Sequence, residues 1–248
     1  MSESGQETEA KFYVNDLDKI ITRLQPPPPF GHLPQIRNKV FHKFLSFYSR
    51  IWGRLGGGLI QERVLETNIR FDLPDGRLRS EGRVLRLRQD TDARFTYKSP
   101  STNQQGVLSR TEIEFTVGDF EKAKEFLEAL GYQKLIAYEK YRTTYTLEAD
   151  SLLSKIHEQA HGYHSCLIML DELPYGNFVE IEGEAIELIR KVAIQLNLNW
   201  EAAIGTSYTA LFDRARKKLG YSFQDLSFEN FNGMKVDASD LGVHAADT

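Results

Sequence analysis

Charged side chains at every second position, in stretches that otherwise read as β-strands, constrain this chain more than any other feature. Near the N-terminus, Glu7-Thr8-Glu9-Ala10-Lys11 lies in a stretch with strand character over 6–14. Alternate side chains of a strand point the same way. Glu7, Glu9 and Lys11 therefore share one face, and Thr8, Ala10 and Phe12 the other. Five later strands repeat the device. Arg86 and Arg88 oppose Leu85 and Leu87 over 82–89; Arg94, Thr96 and Lys98 oppose Phe95 and Tyr97 over 93–98. Arg110, Glu112 and Glu114 oppose Thr111, Ile113 and Phe115 over 109–117. Lys140, Arg142 and Thr144 oppose Tyr141, Thr143 and Tyr145 over 135–147, and Glu180 and Glu182 oppose Val179 and Ile181 over 177–183. Two more strands are expected, over 62–72 and over 166–172, the latter ending in Asp171.

Two arrangements fit this pattern. In one, an open sheet carries cross-strand ion pairs on a wet face, each weakly stabilising. In the other, helices cover the apolar faces and the charged faces look into a closed β-barrel; about eight strands suit a barrel that holds one small ligand. The second arrangement pools acids Glu7, Glu9, Glu112, Glu114, Asp171, Glu180 and Glu182 with bases Lys11, Arg86, Arg88, Lys98, Arg110, Lys140 and Arg142. A lone buried ion is costly, so such an interior needs balanced pairs, water, or a bound polyanion with a metal. Arginine and lysine suit phosphate oxygens. Clustered carboxylates suit a hard divalent ion such as Mg²⁺ or Mn²⁺. Both sets in one cavity point to a metal–polyphosphate substrate.

Amphipathic helices supply the cover. Asn15 or Asp16 can cap a helix with Leu17, Ile20, Ile21 and Leu24 on one face, stopped by the four prolines 26–29. Asp119 can cap a helix ending at Gly131, with Phe120, Ala123, Leu127 and Leu130 inward. A short helix is expected over 150–162. Two more follow: 184–196, burying Ala185, Leu188, Ile189, Val192 and Leu196, and 206–219, burying Tyr208, Leu211, Phe212, Ala215 and Leu219. Residues 100–106 read as a polar loop, and 221–248 shows no period and ends in a polar tail.

The stretch 34–55 has Val40, Phe41, Phe44, Leu45, Tyr48, Ile51, Trp52 and Leu55 at helical spacing, with Arg37, Lys39, Lys43, Arg50 and Arg54 on much of the other face. Such a basic amphipathic helix packs on its own domain, or docks on an anionic membrane surface or a partner protein. Gly56-Gly57-Gly58 reads as a hinge; no Gly-Lys-Ser/Thr follows, so it is not a phosphate loop.

The formal net charge of −4 gives no reason to expect nucleic-acid binding. Cys166, the single cysteine, excludes an intrachain disulfide and reads as a buried strand residue. With a polar N-terminus and no long apolar run, a cytoplasmic location is expected. His157, His161 and His164 lie close together, but their spacing lacks a metalloprotease motif, and zinc binding there is the weaker reading.

Taken in order, these residues resemble the CYTH family, the triphosphate tunnel metalloenzymes. Glu-x-Glu-x-Lys at 7–11 matches the family's hallmark. Leu-Arg-Leu-Arg at 85–88, Tyr-Lys at 97–98, Arg-Thr-Glu-Ile-Glu at 110–114, Glu-Lys-Tyr-Arg at 139–142 and Val-Glu-Ile-Glu at 179–182 follow in the family's order. The resemblance covers about residues 6–215 and implies an α+β fold: an eight-stranded antiparallel tunnel with flanking helices. It implies a tunnel domain over 1–220, from which this chain departs by longer segments at about 26–58 and 150–165, then an extension over 221–248. It implies that Lys11, Arg86, Arg88, Lys98, Arg110, Lys140 and Arg142 hold a triphosphate. The acids Glu180 and Glu182 first, then Glu7, Glu9 and Glu114, with Glu112 and Asp171, are the implied Mg²⁺ or Mn²⁺ side. Catalytic roles fall among Glu7, Glu9, Lys11, Lys98 and Lys140. The family covers triphosphate hydrolysis and class IV adenylate cyclisation, so tripolyphosphate, ATP and thiamine triphosphate are the candidate substrates. Hydrolysis is favoured because it demands only the tunnel. A non-catalytic polyphosphate-binding module stays open as a third reading, and so does a homodimer.

Overall fold

A computed structural model describes residues 5–25, 57–148 and 165–248. Among the described residues nine strands form one sheet: β1 (Gln6–Val14), β2 (Gly58–Asp72), β3 (Val84–Gln89), β4 (Ala93–Lys98), β5 (Thr102–Gln104), β6 (Val107–Val117), β7 (Gln133–Glu148), β8 (Ser165–Leu173) and β9 (Gly176–Glu182). The order is β1-β9-β8-β7-β2-β3-β4-β6, and β6 pairs back onto β1, closing an eight-stranded barrel; β5 is an added edge on β6. Every pairing is antiparallel. Closure leaves each main strand paired on both sides and gives it one inner and one outer face.

The outer faces are packed by helices. Helix α1 (Leu17–Leu24) is capped by Asp16, whose carboxylate accepts from the Asp18 and Lys19 N–H groups. It buries Ile20 and Leu24 with Ala10, Phe12, Val179 and Ile181 of the barrel and with α4 (Ile186–Gln195), which contributes Leu188, Ile189 and Val192. Short helix α2 (Arg77–Ser80) follows the β2 turn. Helix α3 (Phe120–Ala129), capped by Asp119, packs Ala123 and Leu127 on Ile69, Phe71 and Leu87. Helix α5 (Tyr208–Leu219) is capped by Ser207 and ends at Gly220, whose φ of 74° is the left-handed geometry glycine tolerates. Among the described residues no helix is long and apolar enough to cross a membrane.

Several expectations are corrected. β2 begins at Gly58 rather than Glu62, because the long β7 supplies partners for it across register shifts that break the alternation. Gly58 is thus strand, not hinge, and the Gly57 N–H donates to the Leu24 carbonyl at 2.7 Å. The polar loop 100–106 contains β5. Leu130 and Leu219, expected inward, are exposed, as are Ile113 and Phe115 on the outer face of β6. Residues 221–248 are no free tail. Leu226, Phe231, Leu241 and Val243 are buried with α5, and short helix α6 (Ala238–Leu241) lies among them. The expected helices 34–55 and 150–162 lie outside the described residues, as do the His157, His161 and His164 cluster and Gly56.

Candidate active site

Register carries the charges inward. In the β1–β9 pair, Lys11 stands across from Glu180 and Glu9 from Glu182. Lys98 of β4 reaches over β6 to Glu7 of β1, at 2.6 Å. Arg88 of β3 reaches over β4 to Glu114 of β6, at 3.0 Å. Arg142 of β7 reaches over β8 to Glu180 of β9. Contacts that skip a strand, in all three sectors, require one shared concave surface. All fourteen expected residues lie on it. Most are buried; Glu112 and Glu114 keep side-chain exposures of 20% and 30%.

One sector is charge-saturated. The Asp171 carboxylate accepts from Lys140 at 3.0 Å, from both Nε and Nη2 of Arg142 at 2.6 and 2.5 Å, and from the Tyr208 hydroxyl at 2.8 Å. Lys11 binds Glu180 at 2.9 Å and lies 4.3 Å from the Tyr208 ring centre. Tyr208 opens α5, and its carbonyl accepts from the Tyr175 hydroxyl at 2.9 Å. Helix α5, with Phe178, Tyr13 and Tyr175, therefore closes one end of the tunnel with aromatic rings.

Another sector concentrates acids. Glu7 is burdened by burial, but Lys98 and Arg110 override that and hold its carboxyl down to about 2. Burial pushes Glu112 up, as does Glu7 beside it, against the pull of Lys98. Glu182 has no ion-pair partner among the described residues. Burial, then the charges of Glu7, Glu9 and Glu112, push its carboxyl up to about 7.

Sequence reading missed part of the wall. Glu66 is 1% exposed and takes Lys140 at 3.4 Å and Arg88 at 3.6 Å. Despite burial, Lys140, Arg142 and Arg88 hold it down to about 2. Asn68 and Arg70 follow it along β2. Thr96 accepts from Arg86 and donates to Glu114, and Tyr138 accepts from Arg86. The signal for β2 was present: Glu66, Asn68 and Arg70 alternate with Leu65, Thr67, Ile69 and Phe71. Tyr208 carried no such signal, since its helical stripe reads as core. Cys166 is fully buried in β8, and burial pushes its thiol up to about 12, which leaves it inert as a nucleophile.

Among the described residues, no three His, Cys, Asp or Glu stand in a preformed metal-holding arrangement. The donor chemistry nevertheless fits a hard divalent ion. Glu182 is crowded by Glu7, Glu9 and Glu112, and a cation among these oxygens would relieve their mutual repulsion.

The CYTH domain family model matches residues 53–201, more than half of the sequence. The chain belongs to the CYTH family. No curated protein matches it in sequence. Among solved structures, it is similar to a candidate adenylate cyclase of Vibrio parahaemolyticus, with TM-score 0.56 and 17% identity, covering 84% of this chain and 97% of that one. It is also similar to the PH1819 protein of Pyrococcus horikoshii, with TM-score 0.52 and 21% identity over 82% and 95% of the two chains. A conserved hypothetical protein of Pyrococcus furiosus gives 0.51 and 20% identity over 82% and 97%. At these identities the likeness is one of fold, and what it shares with this CYTH chain is the barrel.

Proposed function

We propose that this protein is a divalent-metal-dependent triphosphatase that hydrolyses the terminal phosphate bond of an inorganic or organic triphosphate within the tunnel. The observation that carries the reading is the inner surface itself. Seven expected cations and seven expected acids from separate strands meet there, and the acids around Glu182 are left under mutual repulsion. Phosphate oxygens would exchange with carboxylates for Arg86, Arg88, Lys98 and Arg110, and the displaced acids would become metal donors. Glu182, Glu9, Glu7 and Glu112 would hold Mg²⁺ or Mn²⁺, whose chemistry is to neutralise phosphate charge and polarise the phosphorus centre. Glu180 and Asp171, bound to Lys11, Arg142 and Tyr208, serve better as supports for the cations than as donors. The cationic wall orients the chain and stabilises charge that develops on the leaving oxygen.

Class IV cyclisation of ATP is the second reading, kept because the Vibrio neighbour is described as a candidate adenylate cyclase. One assay separates the possibilities: tripolyphosphate, ATP and thiamine triphosphate, each with Mg²⁺ or Mn²⁺, followed by product separation. Orthophosphate from tripolyphosphate without cyclic nucleotide from ATP is expected. Cyclic AMP with pyrophosphate would replace the hydrolase by the cyclase, and binding without turnover would leave a polyphosphate-binding module. Glu9→Gln and Arg88→Ala are each expected to abolish turnover with the fold intact by circular dichroism. Full activity in either would contradict the site.

A further inference from the structure

Arg70 stands apart from the rest of the tunnel wall. The other inward-facing lysines and arginines described above are ion-paired. Among the described residues Arg70 has no carboxylate partner. Its Nη1 donates to Thr209 Oγ1 of the capping helix α5 at 2.7 Å, and its Nε is buried with no acceptor. Asp72, two residues along the same face, spends its oxygens on the backbone N–H groups of Leu73, Leu78 and Arg79. Arg86 is the register partner of Arg70 on β3, and its Nε is orphaned as well. Burial, with Arg86 and Arg110 nearby, disfavours the charge on Arg70. Beside them, the Asn68 side chain is 0% exposed, and neither its amide nitrogen nor its oxygen has a hydrogen-bond partner.

Buried charge and buried amide groups are costly without partners, and native proteins almost always satisfy them. Here the orphans are grouped, and the donors among them, two guanidinium Nε–H groups and the Asn68 amide N–H₂, suit oxyanion oxygens. They lie toward the end closed by α5, where Arg70 meets Thr209, and are the last groups that a phosphate chain entering from the other end would meet.

We propose that Arg70, with Arg86 and the Asn68 amide, forms an oxyanion subsite at the closed end of the tunnel that selects for substrate chain length. The innermost phosphate of a triphosphate reaches this subsite, and a diphosphate held by Arg88 and Lys98 does not. The proposal rests on the triphosphate reading above and adds a depth gauge to it.

The test is calorimetric titration of the full chain with pyrophosphate and with tripolyphosphate, in Mg²⁺ and separately in EDTA. Wild type, R70Q and R88A are compared. Wild type is expected to prefer tripolyphosphate. R70Q is expected to lose about tenfold or more in tripolyphosphate affinity and none for pyrophosphate, which collapses the preference, a loss on the scale of one charge-assisted contact. R88A is expected to lose both. If wild type binds neither probe in either buffer, the triphosphate reading fails and takes the subsite with it. If wild type binds and R88A weakens both, but R70Q leaves the ratio unchanged, the subsite alone is overturned. Thermal melting without ligand gives a second readout. R70Q is expected to melt above wild type, because an uncompensated charge is gone; a lower melting temperature would assign Arg70 a structural role instead. Should R70Q not fold, R70K, which keeps the charge and loses the fork, is read by the same affinity ratio.

Discussion

Around Asp171, acids and bases alternate until each charge is spent; around Glu182, acids meet acids. The two sectors use the same residue types on neighbouring strands of one barrel. They differ in what lies behind them. Asp171 receives two cations and a hydroxyl from α5, so its surroundings are fixed before any ligand arrives. Glu182 sees Glu7, Glu9 and Glu112 through a buried, weakly screening environment, and Lys98 offsets them in part. One sector is a finished wall that holds Lys140 and Arg142 in place. The other stores repulsion that a cation would release.

The largest effect that would break this contrast is expected at Asp171. Asp171→Asn leaves Lys140 and Arg142 buried with Glu66 and Glu180 as their remaining carboxylates, and weakening a buried network this way costs about 3 kcal/mol. Urea unfolding measures it; a loss below about 1 kcal/mol would show that the wall is not locked by this carboxylate.

Glu182 should behave in the opposite sense. Its folded carboxyl titrates at about 7, above the ordinary 4.5. Its contribution is full below the ordinary value and is lost as pH rises through about 7. Glu182→Gln should therefore flatten the stability profile across that window and stabilise the ligand-free protein at pH 8 by an amount on the order of 2 kcal/mol. Mg²⁺ should bind more tightly as pH rises through the same window in the wild type. Glu7 and Glu66 run the other way: held at about 2, they stabilise above the ordinary carboxylate range, and that contribution is lost as pH falls toward 2. A wild-type profile that rises from pH 5 to 8 and is unchanged by Glu182→Gln would contradict the repulsive sector.

Tyr208→Phe sharpens the comparison at smaller cost. It removes one of the donors to Asp171, a hydrogen bond to a charged group, and should cost about 1.5 kcal/mol with pH dependence unchanged. The smallest effect is expected on the outer face of β6. Phe115→Thr, at a residue 56% exposed, gives up an edge-to-face contact with Phe95 and should cost about 0.5–1 kcal/mol.

Most of the barrel was legible because period-2 alternation survives in strands that are regular. Where bulges shift the register, as between Leu59 and Val64 of β2, the pattern breaks and the strand's true start was lost. The fourteen inward charges were readable from alternation and from the family motifs. Glu66 and Arg70 showed the same alternation, but β2 matched no motif and its faces went unread. Tyr208 and the segment 221–248 were illegible for another reason. Their place depends on long-range packing: the Tyr208 hydroxyl meets Asp171, and Leu226 pairs with Tyr138, contacts that no local period encodes. The exposed Ile113 and Phe115 show the converse limit, since alternation assigns a face but not whether another element covers it.

The central claim is that the hollow of the barrel is the triphosphate site. A crystal structure with tripolyphosphate tests it most directly. The phosphate chain is expected inside the barrel, its oxygens within hydrogen-bond distance of Arg86, Arg88 and Lys98, with the Asp171 cluster unmoved. A chain bound on the outer surface, with the Arg88–Glu114 and Lys98–Glu7 pairs intact, would contradict it.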